Sequence, residues 1–186
     1  MSGNNAFSSK LKSPQSILFQ KLFWRAGGEV YLKDEPLALE FLKNSLRFTP
    51  KTFSEQNLPI AVTKIKDNSA FKDAITNKMN NLSETESFND EKTSVEFTSK
   101  TDMDLFLALG KADIFMSGVK RENGKWKLNI RVEDTYNFDE IRANYSGKMR
   151  DKIATAANNA AFFSQNTYAI NPFKSVFSFE IEYPFE

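Results

Sequence analysis

Cysteine and histidine are both absent from this chain of 186 residues. Without cysteine there can be no disulfide scaffold, no thiolate metal site and no thiol nucleophile. Without histidine there can be no Ser-His-Asp triad, no imidazole base and no histidine-bound zinc. Catalysis would therefore depend on carboxylates, Lys, Tyr, Ser, Thr or amides, or on a hard cation held by oxygen atoms. We expect no cofactor, and a divalent cation bound by carboxylates is the alternative.

An excess of charge of either sign is also lacking. The chain has 25 basic and 24 acidic residues, which gives a net charge of +1. Binding to nucleic acid draws much of its affinity from a basic field that releases counterions from the phosphates. Because this chain has no such excess of basic residues, we expect no nucleic-acid partner.

Long apolar runs are missing as well. Near the N-terminus, Gln20 and Lys21 interrupt the apolar segment that begins at Ile17, and no small-residue cleavage site follows. This predicts synthesis without a cleavable signal peptide and leaves export by a dedicated secretion system open. Residues 153–173 carry no charge and approach the roughly 20 residues of a membrane span. Their Asn, Gln and Pro residues are costly in hydrocarbon, so we expect no stable membrane insertion.

The first half of the chain is predicted to be mainly helical. Residues 1–13 are rich in Ser, Asn and Lys and are expected to be disordered, whereas residues 14–186 should form one globular domain. A first helix should begin at Pro14 and end at Gly27-Gly28, and a second should begin near Pro36 with Asp34 as its N-cap. The other predictions for this half are a short strand at Ile60 to Ile65, a helix at 70–82 capped by Ser69, and a polar loop at 83–92.

The second half is predicted to contain a β-sheet. Asn123-Gly124 lies between alternating segments and predicts a hairpin whose two turn residues both have positive φ. The strand after this turn should place Trp126, Leu128, Ile130 and Val132 on its core face. A long helix rich in Ala and Asn follows at residues 148–165, and a strand ends the chain. N-terminal helices followed by an antiparallel sheet, with this long helix packed on it, make an α+β fold.

The candidate catalytic residues follow the second strand of the hairpin, and they are Asp134, Tyr136, Asp139 and Arg142. Asp134 shares a face with Val132 by strand parity, so partial burial should raise its pKa. In an enzyme, Asp134 would be the acid, base or metal ligand, and Tyr136 would orient the substrate. Arg142 would bind an anionic group, with Asp139 in support. The alternative is structural, with Asp134 capping a turn and Tyr136 filling the edge of the sheet.

Five short elements lie between Asp102 and the C-terminus. They are Asp104-Leu-Phe-Leu-Ala-Leu-Gly-Lys, Lys125-Trp126-Lys127, Asp134-Thr-Tyr-Asn-Phe, Asn158-Asn159-Ala-Ala and Ala169-Ile-Asn-Pro-Phe. Together they resemble C-terminal modules of secreted bacterial polymorphic toxins, although Asn137 stands where those modules carry a second Asp. The resemblance implies an antibacterial toxin- or effector-like domain that is made in the bacterial cytoplasm. It also implies a protein partner, such as a cognate immunity or secretion protein.

A second functional hypothesis stays open beside the toxin. The chain could be a non-enzymatic protein-binding or assembly module of a bacterial secretion or phage-like system. Its partner would then dock on the hairpin or on exposed phenylalanine side chains, of which the chain has an unusual supply at 18 residues. Phenylalanine has no polar group to satisfy, so most of these residues are expected to lie in the core.

Overall fold

The computed structural model describes residues 12–82, 85–138 and 149–185, and the side chains of residues 149–157 are not among those described. Its elements in chain order are α1 (Pro14–Tyr31), α2 (Pro36–Ser45), α3 (Pro59–Asp67), α4 (Ser69–Asn80), β1 (Ser87–Glu96), α5 (Met103–Ala108), β2 (Lys111–Lys120), β3 (Trp126–Tyr136), α6 (Met149–Asn166) and β4 (Phe173–Tyr183). The strands form one antiparallel sheet in the order β1-β2-β3-β4. The predicted α+β class is therefore confirmed.

Two compact units divide the chain, and each is built from separate stretches of sequence. The helical unit takes in the described residues up to Asp34, together with Leu39–Pro50 and Tyr136–Phe173. The sheet unit takes in Glu35–Ala38, Lys51–Thr135 and Lys174–Glu186. The single domain expected at 14–186 stays a prediction, as does the packing of α6 on the sheet. Of the segment expected to be disordered, residues 1–11 lie outside the described residues.

The β2–β3 hairpin forms the middle of the sheet and follows the predicted alternation. Trp126, Leu128, Ile130 and Val132 are all buried, as expected for the core face of β3. Gly118 of β2 pairs with Leu128, and a Cβ atom on this glycine would lie 2.6 Å from the Leu128 side chain and 2.7 Å from the ring of Phe88. Only a residue without a side chain leaves room for these two neighbours, so Gly118 sets the close packing of the core face.

The hairpin turn is longer than the sequence predicted. The Gly124 N–H donates to the Arg121 carbonyl at 2.9 Å, and the Arg121 N–H donates to the Lys125 carbonyl at 2.7 Å. Of the two residues expected to have positive φ, only Gly124 does, at +78°. This geometry is a three-residue loop that ends with a left-handed glycine, so the two-residue turn was wrong although the hairpin is confirmed.

The first helix continues through the glycine pair at which it was predicted to end. α1 runs from Pro14 to Tyr31 and includes Gly27 and Gly28. A Cβ atom on Gly28 would lie 2.5 Å from Cδ2 of Leu42 in α2. The missing side chain therefore lets the two helices approach closely, and this packing outweighs the poor helix propensity of glycine.

Two further predictions for the first half are corrected. Residues Pro59–Asp67 form a helix, not a strand, and Ala61 and Ile65 bury one face of it at a spacing of four residues. The loop expected at 83–92 is wrong from Ser87 onward, because β1 begins there. The helix predicted from residue 70 begins one residue earlier, and its cap is Asn68, whose Oδ1 accepts the Ala70 N–H at 2.9 Å.

A buried carboxylate from α5 caps the N-terminus of α2. Asp104 is fully buried and accepts the N–H groups of Leu37 at 3.1 Å and Ala38 at 2.7 Å. It also pairs with Lys64 Nζ at 3.1 Å. These N–H groups carry the positive end of the helix dipole, so the carboxylate is favoured there. The sequence predicted Asp34 as the N-cap of α2, but the side chain that accepts these N–H groups is Asp104, which is distant in the sequence.

Candidate functional site

The predicted site residue Asp134 lies in an open cleft at one end of the sheet. The cleft has a volume of about 300 Å³ and is formed where β2 begins, β3 ends and β4 begins. The Ser175 Oγ donates to the main-chain carbonyl of Asp134 at 3.4 Å, which joins the ends of β3 and β4. The polar residues that line the cleft are Lys111, Asp113, Glu133, Asp134, Thr135, Lys174 and Ser175.

The Asp134 carboxyl titrates near neutral pH. Burial raises its pKa from 3.8 to about 7, while a backbone hydrogen bond with Thr135 lowers it and the nearby charge of Asp113 raises it again. Asp113 itself pairs with Lys92 at 2.7 Å. A carboxyl whose pKa lies near the working pH can both give and accept a proton, which is the requirement for a general acid or base.

Replacing Asp134 with asparagine should change how stability depends on pH. The folded state raises this pKa, so its stabilising contribution is complete below about pH 4 and is lost as pH rises toward 7. At pH 8 the Asn variant should be more stable than the wild type by about 1 to 2 kcal/mol, after allowance for solvent screening, and at pH 4 the two should agree. Urea unfolding at both pH values measures this. A difference in unfolding free energy between the two proteins that does not vary with pH would contradict the raised pKa of Asp134.

Tyr136 lies inside an aromatic cluster. Its ring is buried, and its centroid lies 5.5 Å from that of Phe41, 5.1 Å from that of Phe138 and 5.2 Å from that of Phe173. Burial raises the pKa of its phenol above the ordinary value of 10. These contacts support the structural alternative for this residue, since packed aromatic rings stabilise a core without any substrate.

The remaining two predicted catalytic residues, Asp139 and Arg142, lie outside the described residues. Of the four predicted catalytic residues, the structure thus places Asp134 in the cleft and Tyr136 in the aromatic cluster. Among the residues that the structure does describe, no three acidic side chains are grouped so that they could hold a metal ion. No helix in the same part of the chain is long and apolar enough to cross a membrane.

A second candidate surface, not predicted as a site, is the outward face of α1. Leu18, Phe19, Leu22 and Phe23 are exposed by 55%, 72%, 58% and 62%. With 3.6 residues per turn, these side chains fall on one side of the helix, together with the exposed Ala26 and Val30. We call these six residues the apolar face of α1. Exposed apolar side chains grouped in this way are typical of an interaction site, although the exposed polar residues Gln15 and Glu29 lie on the same side of the helix.

The inward side of the same helix carries polar groups. Lys21 is buried and donates from Nζ to the Leu46 carbonyl at 2.6 Å, and burial lowers its pKa. Gln20 accepts the hydroxyl of Thr167 at 2.8 Å, and Trp24 donates to the hydroxyl of Ser164 at 2.8 Å. Helix α1 therefore directs hydrogen-bonding groups inward and most of its large apolar side chains outward, the reverse of an ordinary surface helix.

A cationic cleft adjoins the apolar face of α1. It lies between α1 and the C-terminal end of α2 and has a volume of about 400 Å³. Three leucines and four basic residues line it, and they are Leu18, Leu22, Leu46, Lys21, Arg25, Lys43 and Arg47. Among the described residues, no acidic side chain lines the cleft, although Arg25 pairs with Glu29 at 3.4 Å and Lys43 pairs with Glu40 at 3.1 Å. Both pairs are exposed, so neither holds its cation firmly.

Comparison with family models, curated proteins and solved structures finds no match to this chain. Sequence reasoning predicted a helix from Pro14 but did not find that its apolar residues face outward. The available signal was the polar pair Gln20 and Lys21, which interrupts the apolar pattern and proves to face inward.

Proposed function

We propose that this protein is a non-enzymatic binding module that docks through the apolar face of α1. The observation that supports this is the reversal of α1, whose Lys21 and Gln20 make internal hydrogen bonds while Phe19 and Leu22 are exposed. Keeping such a face in water has a free-energy cost of about 25 cal/mol per Å² of apolar surface. A partner that covers the face removes this cost, which makes it a driving force for association.

The toxin or effector hypothesis is compatible with docking and remains a proposal. A secreted effector has to bind a target, and a non-enzymatic module can bind one without catalysing a reaction. A cognate immunity or secretion protein would be a partner of the same kind. Growth of bacteria that express the chain in the cytoplasm or in the periplasm tests whether it is toxic in either compartment.

A substitution on α1 tests docking directly. In extracts of expressing bacteria, the wild type should sediment with larger material, while a Phe19→Gln/Leu22→Gln variant should sediment as the free chain. Both side chains are exposed, and Gln is a good helix former, so the variant should fold normally. Val119→Gln is the matched control, because Val119 is 60% exposed on β2. Docking through this face would be contradicted if the wild type sediments as the free chain, or if the double variant still sediments with larger material.

A second candidate function is acid–base chemistry at Asp134. It is favoured by the pKa of about 7 in a cleft that also holds Lys111 and Lys174. If this carboxyl is the working group, Asp134→Asn should abolish growth arrest in expressing bacteria, and Phe19→Gln/Leu22→Gln should leave growth arrest intact. If the chain arrests growth by docking instead, the opposite pattern is expected, so the two variants separate the two functions.

A further inference from the structure

We propose that the apolar face of α1 and the adjoining cationic cleft bind the surface of a lipid bilayer that carries anionic head groups. This inference rests on the proposed docking function and names the partner of the same surface. It concerns a helix that lies in the interface, with its axis along the membrane plane, and not one that spans the bilayer.

The composition of the apolar face suits a bilayer surface. Interfacial helices bury a face of Leu and Phe by roughly 5–10 Å into the boundary between head groups and acyl chains. The outward residues Leu18, Phe19, Leu22 and Phe23 are of these two types, and none of the four has a hydrogen-bonding group.

The shape of the surface agrees with this assignment. One helix presents the apolar face, so most of the face is convex, and only Leu18 and Leu22 border the adjoining cleft. The ring of Phe48 is a separate apolar projection, 82% exposed, whose centroid lies 4.9 Å from Lys21 Nζ. A fluid bilayer can cover such separate apolar projections, whereas a protein partner would need a matching groove.

The charges around the face supply the anionic preference. Arg25, Lys43 and Arg47 line the cleft beside the exposed leucines, and none of the cleft residues that the structure describes is acidic. The sequence has no Asp or Glu before Glu29 but has four basic residues in that stretch. Each basic residue near an anionic membrane contributes about 1 kcal/mol of attraction, or roughly a fivefold gain in affinity. The exposed partners Glu29 and Glu40 oppose this in part, since each pairs with one of the cations.

Vesicle sedimentation with the full chain tests the proposal. One set of vesicles contains phosphatidylcholine alone, and the other contains one part phosphatidylglycerol to two parts phosphatidylcholine. We expect the wild type to bind the anionic vesicles at least tenfold more tightly, with weaker binding as salt is added. Phe19→Gln/Leu22→Gln should lose on the order of a hundredfold in affinity, and Arg25→Gln/Arg47→Gln on the order of tenfold. Val119→Gln should bind like the wild type, and equal urea midpoints should establish that all variants are folded.

Several results would overturn the proposal. They are an absence of binding to anionic vesicles, equal binding to both vesicle types, and wild-type binding by the Phe19→Gln/Leu22→Gln variant. If the wild type fails to bind vesicles but still sediments with larger material in bacterial extracts through the α1 face, the docking function stands and its partner is a protein. If the purified chain alone sediments as a dimer that Phe19→Gln/Leu22→Gln disrupts, the face binds a second copy and the membrane proposal is wrong.

Discussion

Replacing Asp104 with alanine should lower the free energy of unfolding by about 3 to 5 kcal/mol, the usual result when one partner of a buried ion pair is removed. The carboxylate is fully buried and serves three donors, the N–H groups of Leu37 and Ala38 and the ammonium of Lys64. Its removal leaves two helix-terminal N–H groups without this acceptor, and each buried donor without a partner costs about 1 to 3 kcal/mol. Urea unfolding measures the loss.

Asp102 is the matched control for this prediction. It caps its own helix, because its Oδ1 accepts the Leu105 N–H at 3.0 Å, and it lies 3.3 Å from the same Lys64. Burial lowers the pKa of Lys64, but its pairing with Asp104 and Asp102 outweighs burial, so its pKa is raised. Asp102→Ala should cost only about 1 kcal/mol, the typical value of an N-cap. Equal losses for the two variants would show that Asp104 is no more than an ordinary cap.

Replacing Tyr136 with alanine should cost about 3 to 5 kcal/mol of stability, the range for a large aromatic residue removed from a core. The ring contacts Phe41, Phe138 and Phe173, with centroids between 5.1 and 5.5 Å apart. Its removal would leave a cavity among rings that pack at angles suited to aromatic pairs. Thermal unfolding of the purified variant should therefore begin at a clearly lower temperature.

Tyr136→Phe separates the packing role from the catalytic one. Phenylalanine keeps the ring and removes only the hydroxyl, so stability should change by no more than about 1 kcal/mol. Whatever growth phenotype the wild type has in bacteria should also be kept. Loss of that phenotype in a variant with an unchanged unfolding midpoint would make the phenol a working group and would contradict the structural assignment.

The sheet could be predicted well because its signals are local. Trp126, Leu128, Ile130 and Val132 are buried since alternate residues of a strand share a face, and period-two alternation is visible without any tertiary information. The position of Asp134 at the end of that row also predicted its raised pKa. The turn was less well predicted, because an Asn-Gly pair suits both a two-residue loop and a longer one that ends in a left-handed glycine.

The helices were harder because their packing overrides local propensity. Residues 60–65 contain β-branched side chains that favour a strand, yet they form a helix whose Ala61 and Ile65 are buried. Gly28 is typical of a helix end, but close contact with Leu42 keeps it inside α1. The Asp104 cap joins residues 66 apart in sequence, and no local pattern could predict that distance.

The apolar face of α1 shows why a function cannot be read from periodicity alone. The sequence predicted a helix from Pro14, but an apolar pattern does not say whether the apolar side of a helix faces the core or the solvent. The decision depends on partners far away in the sequence, such as Leu46 for Lys21 and Ser164 for Trp24. These internal hydrogen bonds fix the rotation of the helix and leave Phe19 and Leu22 exposed.

Docking through α1 can be followed by the maleimide reactivity of a single cysteine at position 26. The wild-type chain has no cysteine, so Ala26→Cys places one thiol in the apolar face of α1, where Ala26 is exposed. Asn129→Cys places the control thiol at an exposed position of β3. If the protein docks through α1, the thiol at position 26 should react quickly in the purified protein and slowly in extracts of expressing bacteria. The thiol at position 129 should react at the same rate in both. Equal reactivity of position 26 in the two settings would show that the apolar face stays in water and would contradict docking.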